Sequence, residues 1–287
     1  MTREQAISSK PSSSEQYEFA RMVVEQDFVS FAEKYLHIQT KSDGLQPFRL
    51  WAMQRDRAQH RQARMAAREP IRELDLKARQ MGSSIFEIAI AFFFAITHSD
   101  VNILIMAHEK NLPTEFLDRI RVFIAGMPTW CRPVVTKDSA SELVFGNIRS
   151  SIRIGTGRAA MEDSGVKLGR TIHYLLVTEA TDPAWKTDSF HMLFQTVPPD
   201  GIIIIETTAK GARGWYWSEW VDEDSIWDKR WWPWSWQPEY QMPVYAPLAY
   251  TAEELPIVAK FNLTPEQVAF RRFKIKEIGD RSFRELY

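Results

Sequence analysis

Between residues 68 and 210 short apolar runs alternate with stretches of helical spacing, and that alternation limits the fold more than any other feature of the chain. Candidate strands lie at 74–77, 101–108, 172–178 and 201–207, and the last three are apolar over most of their length instead of on every second residue. A strand with no polar face has to be covered on both sides, which antiparallel meanders seldom provide and crossover helices do. Residues 50–68, 84–97 and 112–125 carry the helical spacing. The chain therefore reads as α/β, with a mostly parallel sheet flanked by helices. A hairpin is expected at 142–154, where Gly146-Asn147 offers residues able to take positive φ.

Composition removes several classes. Hydrophobic residues make up 45% and aromatics 13%, too apolar for a disordered chain. The 36 basic and 37 acidic residues leave a net charge of -1, so any nucleic-acid contact must come from a local patch. Cys131, the one cysteine, excludes an internal disulfide and a multi-cysteine metal site. The longest apolar runs, 88–96 and 202–205, fall short of the roughly 20 residues that cross a bilayer, and the polar start lacks the core of a signal peptide; no membrane association is expected. Three regions follow: a tail and helical preamble at 1–44, a core at 45–215, and a Trp/Pro-rich appended segment at 216–287 that ends in a helix from Pro265 to about Ile278. Eight of the eleven tryptophans fall between residues 215 and 236, where a satellite packing cluster is expected.

Three strand ends carry chemistry. In LDLKARQMGSS, residues 74–84, an apolar strand turns through Gly82 into an apolar helix that opens on two hydroxyls. Free N–H groups and the positive end of the helix dipole make such a turn an anion site. Set on the phosphate-loop pattern Gly-x-x-x-x-Gly-Lys-Ser/Thr, Gly82 takes the second glycine and Ser84 the magnesium-binding hydroxyl. Lys77 then stands at the first glycine and Ser83 at the lysine, so Lys77 and Arg79 are the loop's own cations. The strand TIHYLLVTEA ends in Thr178-Glu179, where a nucleotide hydrolase places a metal-side residue and a water-activating carboxylate. Thr178 lacks the charge of the usual aspartate. The strand in GIIIIETTAKG ends in Thr207 and Thr208, hydroxyls placed to sense a γ-phosphate.

Together KARQMGSS, LLVTEA and ETTAKGARGWYWSEW resemble the ATPase half of the large terminase of tailed bacteriophages, the DNA-packaging motor subunit; the resemblance runs from about Leu45 to Tyr287. It implies a P-loop-type ATPase that uses ATP and Mg²⁺ to move double-stranded DNA into a procapsid, in the host cell cytoplasm. Its implied partners are a small terminase subunit and the portal protein, on which the chain forms a homo-oligomeric ring. It further implies that Gln54 reads the base, that the loop Lys77, Ala78, Arg79, Gln80, Met81, Gly82, Ser83 and Ser84 binds the phosphates, and that Ser84 and Thr178 lie on the metal side. Glu179 orients the lytic water and Thr207 and Thr208 sense the γ-phosphate. A transition-state arginine would be Arg79 in cis, or Arg153, Arg158 or Arg170 from a neighbouring subunit, with Arg158 favoured. The family's nuclease acids have no counterpart in this sequence, because Asp222-Glu223-Asp224 reads as a solvated run, so DNA cleavage is not expected. A helicase-like ATPase and a catalytically weak nucleotide-binding assembly module are the alternatives. Seven arginines between Arg49 and Arg72, and Arg271, Arg272, Lys274 and Lys276, are either DNA-facing or solvated helix faces.

Overall fold

The computed structural model describes residues 10–40, 43–107, 112–156, 169–182 and 185–287. Its centre is an eight-stranded sheet. The strands are β3 (Ile71–Lys77), β4 (Asn102–Ala107), β5 (Val135–Asp138), β6 (Glu142–Phe145), β7 (Ser150–Thr156), β8 (Tyr174–Thr178), β9 (Ile202–Thr207) and β10 (Asp228–Trp232). In space they run β10-β3-β9-β8-β4-β7-β6-β5. All pairs from β10 to β7 are parallel, and β6 and β5 close the far edge antiparallel. Two short strands outside the sheet, β1 (His37–Gln39) and β2 (Leu45–Pro47), pair with each other.

Helices cover both faces. On one lie α1 (Ser13–Glu25), α2 (Phe28–Tyr35), α3 (Ala52–Ala66), α4 (Ser83–Thr97) and α5 (Leu112–Gly126). Phe31, Phe86, Phe92 and Phe123 pack there against Ile103, Ile105 and Ile204. On the other, Phe190 and Leu193 of α6 (Thr187–Phe194) and Tyr216 of α7 (Gly214–Val221) meet Leu104, Leu175 and Ile205. Each buried aliphatic or aromatic side chain contributes about 1.5–3 kcal/mol, so a strand apolar on both faces is held from both. Helix α4 is apolar on nearly every side, Glu87 excepted, because it is enclosed, with Phe86, Ile88, Ala91 and Phe92 fully buried.

Two local expectations change. The helical preamble is two helices, since Gln26 turns left-handed at φ 54 between α1 and α2. The hairpin at 142–154 forms, but its left-handed residue is Arg149, at φ 54. Gly146 is required for space instead: a side chain there would collide with Thr136.

The Trp-rich segment joins the main cores and forms no satellite. Trp215 and Trp227 pack under one face, and Trp232 and Trp234 under the other. Asp228–Trp232 is the edge strand beside β3, and its charged Asp228, Lys229 and Arg230 protect an edge that would otherwise template further pairing. Beyond it come a 3₁₀ turn at Trp234–Trp236, α8 (Glu254–Phe261), α9 (Pro265–Ile278) and α10 (Asp280–Leu286).

Candidate active site

Strand order decides which strand ends meet. Because β9 lies between β3 and β8, the residues leaving all three at their carboxyl ends stand side by side, where open parallel sheets bind ligands. The phosphate-loop turn, Glu179 and the 206–208 segment therefore share one rim. Side-chain alternation sorts them further. Glu73, Asp75 and Lys77 of β3, Thr178 of β8 and Glu206 of β9 point to the α4 face, and Thr207 points to the other.

Lys77 is buried, and its Nζ donates to Glu179 Oε1 at 3.2 Å. Burial opposes the ammonium charge, but Glu206 and then Glu179 outweigh it and hold the Lys77 pKa above its ordinary value. The second oxygen of Glu179, Oε2, accepts from Thr208 Oγ1 at 3.3 Å. Glu179 itself is left-handed at φ 52, a conformation that costs a non-glycine residue about 1–3 kcal/mol and that aims its carboxylate back at the loop. The threonine pair is divided: Thr207 Oγ1 meets Thr181 Oγ1 at 2.8 Å and accepts from the Thr181 N–H at 3.1 Å, away from Lys77. Thr207 fixes the turn after β8, and Thr208 alone faces the acid.

Gly82 is left-handed at φ 62, and a Cβ there would stand 3.1 Å from Gln54 Nε2 and 3.3 Å from Trp51. Ser83 and Ser84 begin α4, and both hydroxyls donate to one carboxylate that sequence reading passed over: Ser83 to Glu206 Oε2, and Ser84 to Glu206 Oε1 at 2.6 Å. Glu206 is fully buried and stands opposite Thr178 in register. The Thr178 hydroxyl donates the other way, to the Met106 carbonyl at 3.4 Å.

Gln54, expected at the base, is buried and braces the loop: its Nε2 donates to the Gly82 carbonyl at 3.2 Å and its Oε1 accepts from the Trp51 N–H at 3.0 Å. The Ala78 N–H donates to Trp232 O at 3.0 Å and the Arg79 N–H to Leu286 O at 2.6 Å, so both amides already have carbonyl partners. Tyr240 Oη donates to the Arg79 carbonyl, and Gln237 Nε2 to the Gln80 carbonyl at 3.2 Å. Met81 is buried, whereas the Arg79 and Gln80 side chains are exposed. A cleft of about 410 Å³ opens beside Lys77 and Ala78, walled by Ala209, Trp220 and Leu286.

Behind the loop lies a belt of buried charge. Arg61 Nε reaches Glu73 at 2.6 Å, and its two terminal nitrogens reach Glu87 at 2.6 and 2.8 Å; Arg57 pairs with Glu73 at 2.6 Å and Asp75 at 3.0 Å. The belt ties α3, β3 and α4 into one unit under the loop. Burial, countered by Arg57 and reinforced by Glu73, lifts Asp75 to about 7. The arginine-rich stretch from Arg49 to Arg72 is divided: Arg57 and Arg61 point inward, Arg55 pairs with Glu33 and Arg72 donates to the Pro198 carbonyl at 3.2 Å, whereas Arg49 and Arg68 are exposed. On the second basic face Arg272 pairs with Glu254 at 2.6 Å and Lys274 with Glu277 at 2.5 Å, while Lys276 is exposed. His60, Glu73 and Asp228 come close enough to suggest a metal, but Arg57 at 3.1 Å, Arg64 at 3.8 Å and Arg230 at 3.3 Å already surround Asp228 with positive charge.

Of the arginines expected to act across subunits, Arg158 lies outside the described residues. Arg153 sits mid-strand in β7 on the face away from α4. Arg170 precedes β8 at the opposite rim, 3.6 Å from Glu142. Neither reaches the Lys77–Glu179 cluster within its own subunit.

No family model matches the chain, and no curated protein matches it in sequence. Among solved structures it is similar to the HK97 bacteriophage large terminase, with a TM-score of 0.63 and 14% identity over 91% of this chain and 54% of that one. The large terminase ATPase domain of Thermus phage P74-26 aligns at a TM-score of 0.49 and 14% identity, over 77% of this chain and 87% of that one. The first likeness shows that this chain has the fold of a bacteriophage large terminase and spans about half the length of that protein.

Proposed function

We propose that this chain is the ATPase of a DNA-packaging motor of the large-terminase type, coupling ATP hydrolysis to movement of double-stranded DNA into a procapsid. One observation carries the reading: Lys77, Ser84, Glu179 and Thr208, from a phosphate-loop turn and two neighbouring strand ends, converge on one rim of a parallel sheet. On this reading the amides at the start of α4 receive the phosphates at the positive end of the helix dipole. Lys77 leaves Glu179 for the phosphate oxygens, which frees the Glu179 carboxylate to orient the attacking water, while Thr208 fixes its second oxygen. The oxygen donors at Ser84 suit Mg²⁺, a hard cation that, when bound, would neutralise phosphate charge. Arg79 is the proposed cation in cis, and Arg158 remains the proposed arginine from a neighbouring subunit of a homo-oligomeric ring. A portal protein, a small terminase subunit and the host cytoplasm are the proposed setting.

Phosphate release from ATP, measured with Mg²⁺ alone and with linear duplex or single-stranded DNA, tests this. Duplex is expected to stimulate turnover without strand separation. Glu179→Gln is expected to slow it about 10²–10⁴-fold, the usual contribution of a positioned base, while nucleotide still binds. Turnover indifferent to Glu179→Gln would refute the assignment, and strand separation would point to a helicase-like ATPase.

A further inference from the structure

Within this reading one function lacks a group: the end of β8 has Thr178 where the metal side calls for a negative charge. We propose that Glu206 supplies that charge from the neighbouring strand, as the residue that positions Ser84 toward Mg²⁺. In phosphate-loop nucleotidases the metal is held by the loop hydroxyl and by a carboxylate at a second strand end. Here Ser84 Oγ lies 2.6 Å from Glu206 Oε1, and the second Glu206 oxygen takes the Ser83 hydroxyl. A carboxylate that accepts both hydroxyls of the first helical turn fixes the Ser84 lone pairs outward, toward the loop.

Geometry lets a carboxylate on β9 serve a position at the end of β8. Thr178 and Glu206 are Cα partners in register, and Asp75 stands opposite Glu206 on the other side. Strand β9 is the one next to the loop strand, and glutamate is one methylene longer than aspartate, so a carboxylate at 206 reaches the start of α4. Thr178 has turned to the Met106 carbonyl and does not compete for Ser84. Glu206 is fully buried, where an anion requires a positive partner, and Lys77 stands on the same face of the neighbouring strand, two residues beyond Asp75. A divalent cation held at Ser84 would supply positive charge beside this buried carboxylate.

The test compares the affinity of a fluorescent ATP analogue with Mg²⁺ and with EDTA, in wild type, Glu206→Gln and Glu206→Gln/Thr178→Asp. The proposal rests on the ATPase reading, and the wild-type arm separates the two: no binding of the analogue by wild type would overturn both. If wild type binds, Glu206→Gln should bind at least as tightly in EDTA, because a negative charge near the phosphates is gone. In Mg²⁺ it should bind about tenfold or more weakly, the scale of one charge-assisted contact. Returning a carboxylate to the end of β8 with Thr178→Asp should recover most of the Mg²⁺ effect. A role confined to tying down the start of α4 would weaken binding equally with and without metal, and would gain nothing from Thr178→Asp; either result would overturn the proposal. Should the glutamine variant not fold, Glu206→Asp keeps the charge but withdraws it, and must show the same selective loss in Mg²⁺; an unchanged Mg²⁺ dependence overturns the proposal as well.

Discussion

Replacing Arg61 with methionine asks whether the buried charge belt holds the site together. Methionine fills most of the aliphatic volume and keeps a contact with Phe86, over whose ring the guanidinium lies at 5.7 Å, so little cavity term enters. What is lost is charge: two bonds to Glu87 and one to Glu73, all between side chains at most 4% exposed. Burial alone would lower the pKa of Arg61, yet Glu73 and Glu87 raise it well above its ordinary value, a measure of how far these anions depend on it. Removing one partner of a buried pair costs about 3–5 kcal/mol. At about 2–4 °C per kcal/mol for a domain of this size, Arg61→Met should melt roughly 10 °C below wild type, with the midpoint of a urea titration lowered and its slope unchanged. Removing Glu87 as well, in Arg61→Met/Glu87→Met, restores the wild-type excess of one carboxylate over arginine and should recover more than half of the loss. A single-variant loss under about 1 kcal/mol, or losses that simply add, would refute the view that the belt is an electrostatic unit.

Three further outcomes are expected. The Asp75 carboxyl is raised to about 7 from an ordinary 3.8, so the folded chain keeps a proton that the unfolded chain releases; the stability this group lends is full below about 3.8 and is lost as pH rises toward 7. The stability difference between wild type and Asp75→Asn, followed by urea titration, should therefore shrink from pH 4 to pH 7 and level off above, and a difference constant with pH would count against it. Gly82→Ala places a Cβ at φ 62 and 3.1 Å from Gln54, so it should cost about 1–2 kcal/mol and weaken nucleotide binding; an unchanged melting temperature and affinity would show that the turn does not need glycine. Tyr240→Phe removes the bond to the Arg79 carbonyl and should raise hydrogen exchange at 78–80 without changing it in β8, a selectivity that uniform exchange would contradict.

The sheet was legible in the sequence because β4, β8 and β9 are apolar over lengths that only a strand covered on both faces uses. The rim was legible because Glu179 and Thr208 each follow such a run directly and Gly82 closes the short loop between a strand and an apolar helix. The charge belt was not, although it left a signal: Arg57 and Arg61 are four apart on one helix face, and Glu73 and Asp75 two apart on one strand face. Counting arginines along the chain hid that spacing, and the carboxylates that answer it lie 12 to 26 residues away. Glu206 went unread because ETT drew attention to its hydroxyls, and its role depends on β9 lying between β3 and β8, an order that no local pattern encodes. The grip of Trp232, Tyr240 and Leu286 on the loop is likewise a tertiary outcome, set by β10 adding beside β3 and turning the chain back over the site.

The central claim is that Lys77, Ser84, Glu179 and Thr208 embrace a single triphosphate. A crystal structure with Mg²⁺ and a non-hydrolysable ATP analogue tests it most directly. The account predicts phosphates against the amides that begin α4, Lys77 moved from Glu179 to a phosphate oxygen, and the Glu179 carboxylate facing the terminal phosphate. A nucleotide bound elsewhere, or a Lys77–Glu179 contact unchanged beside it, would contradict the account.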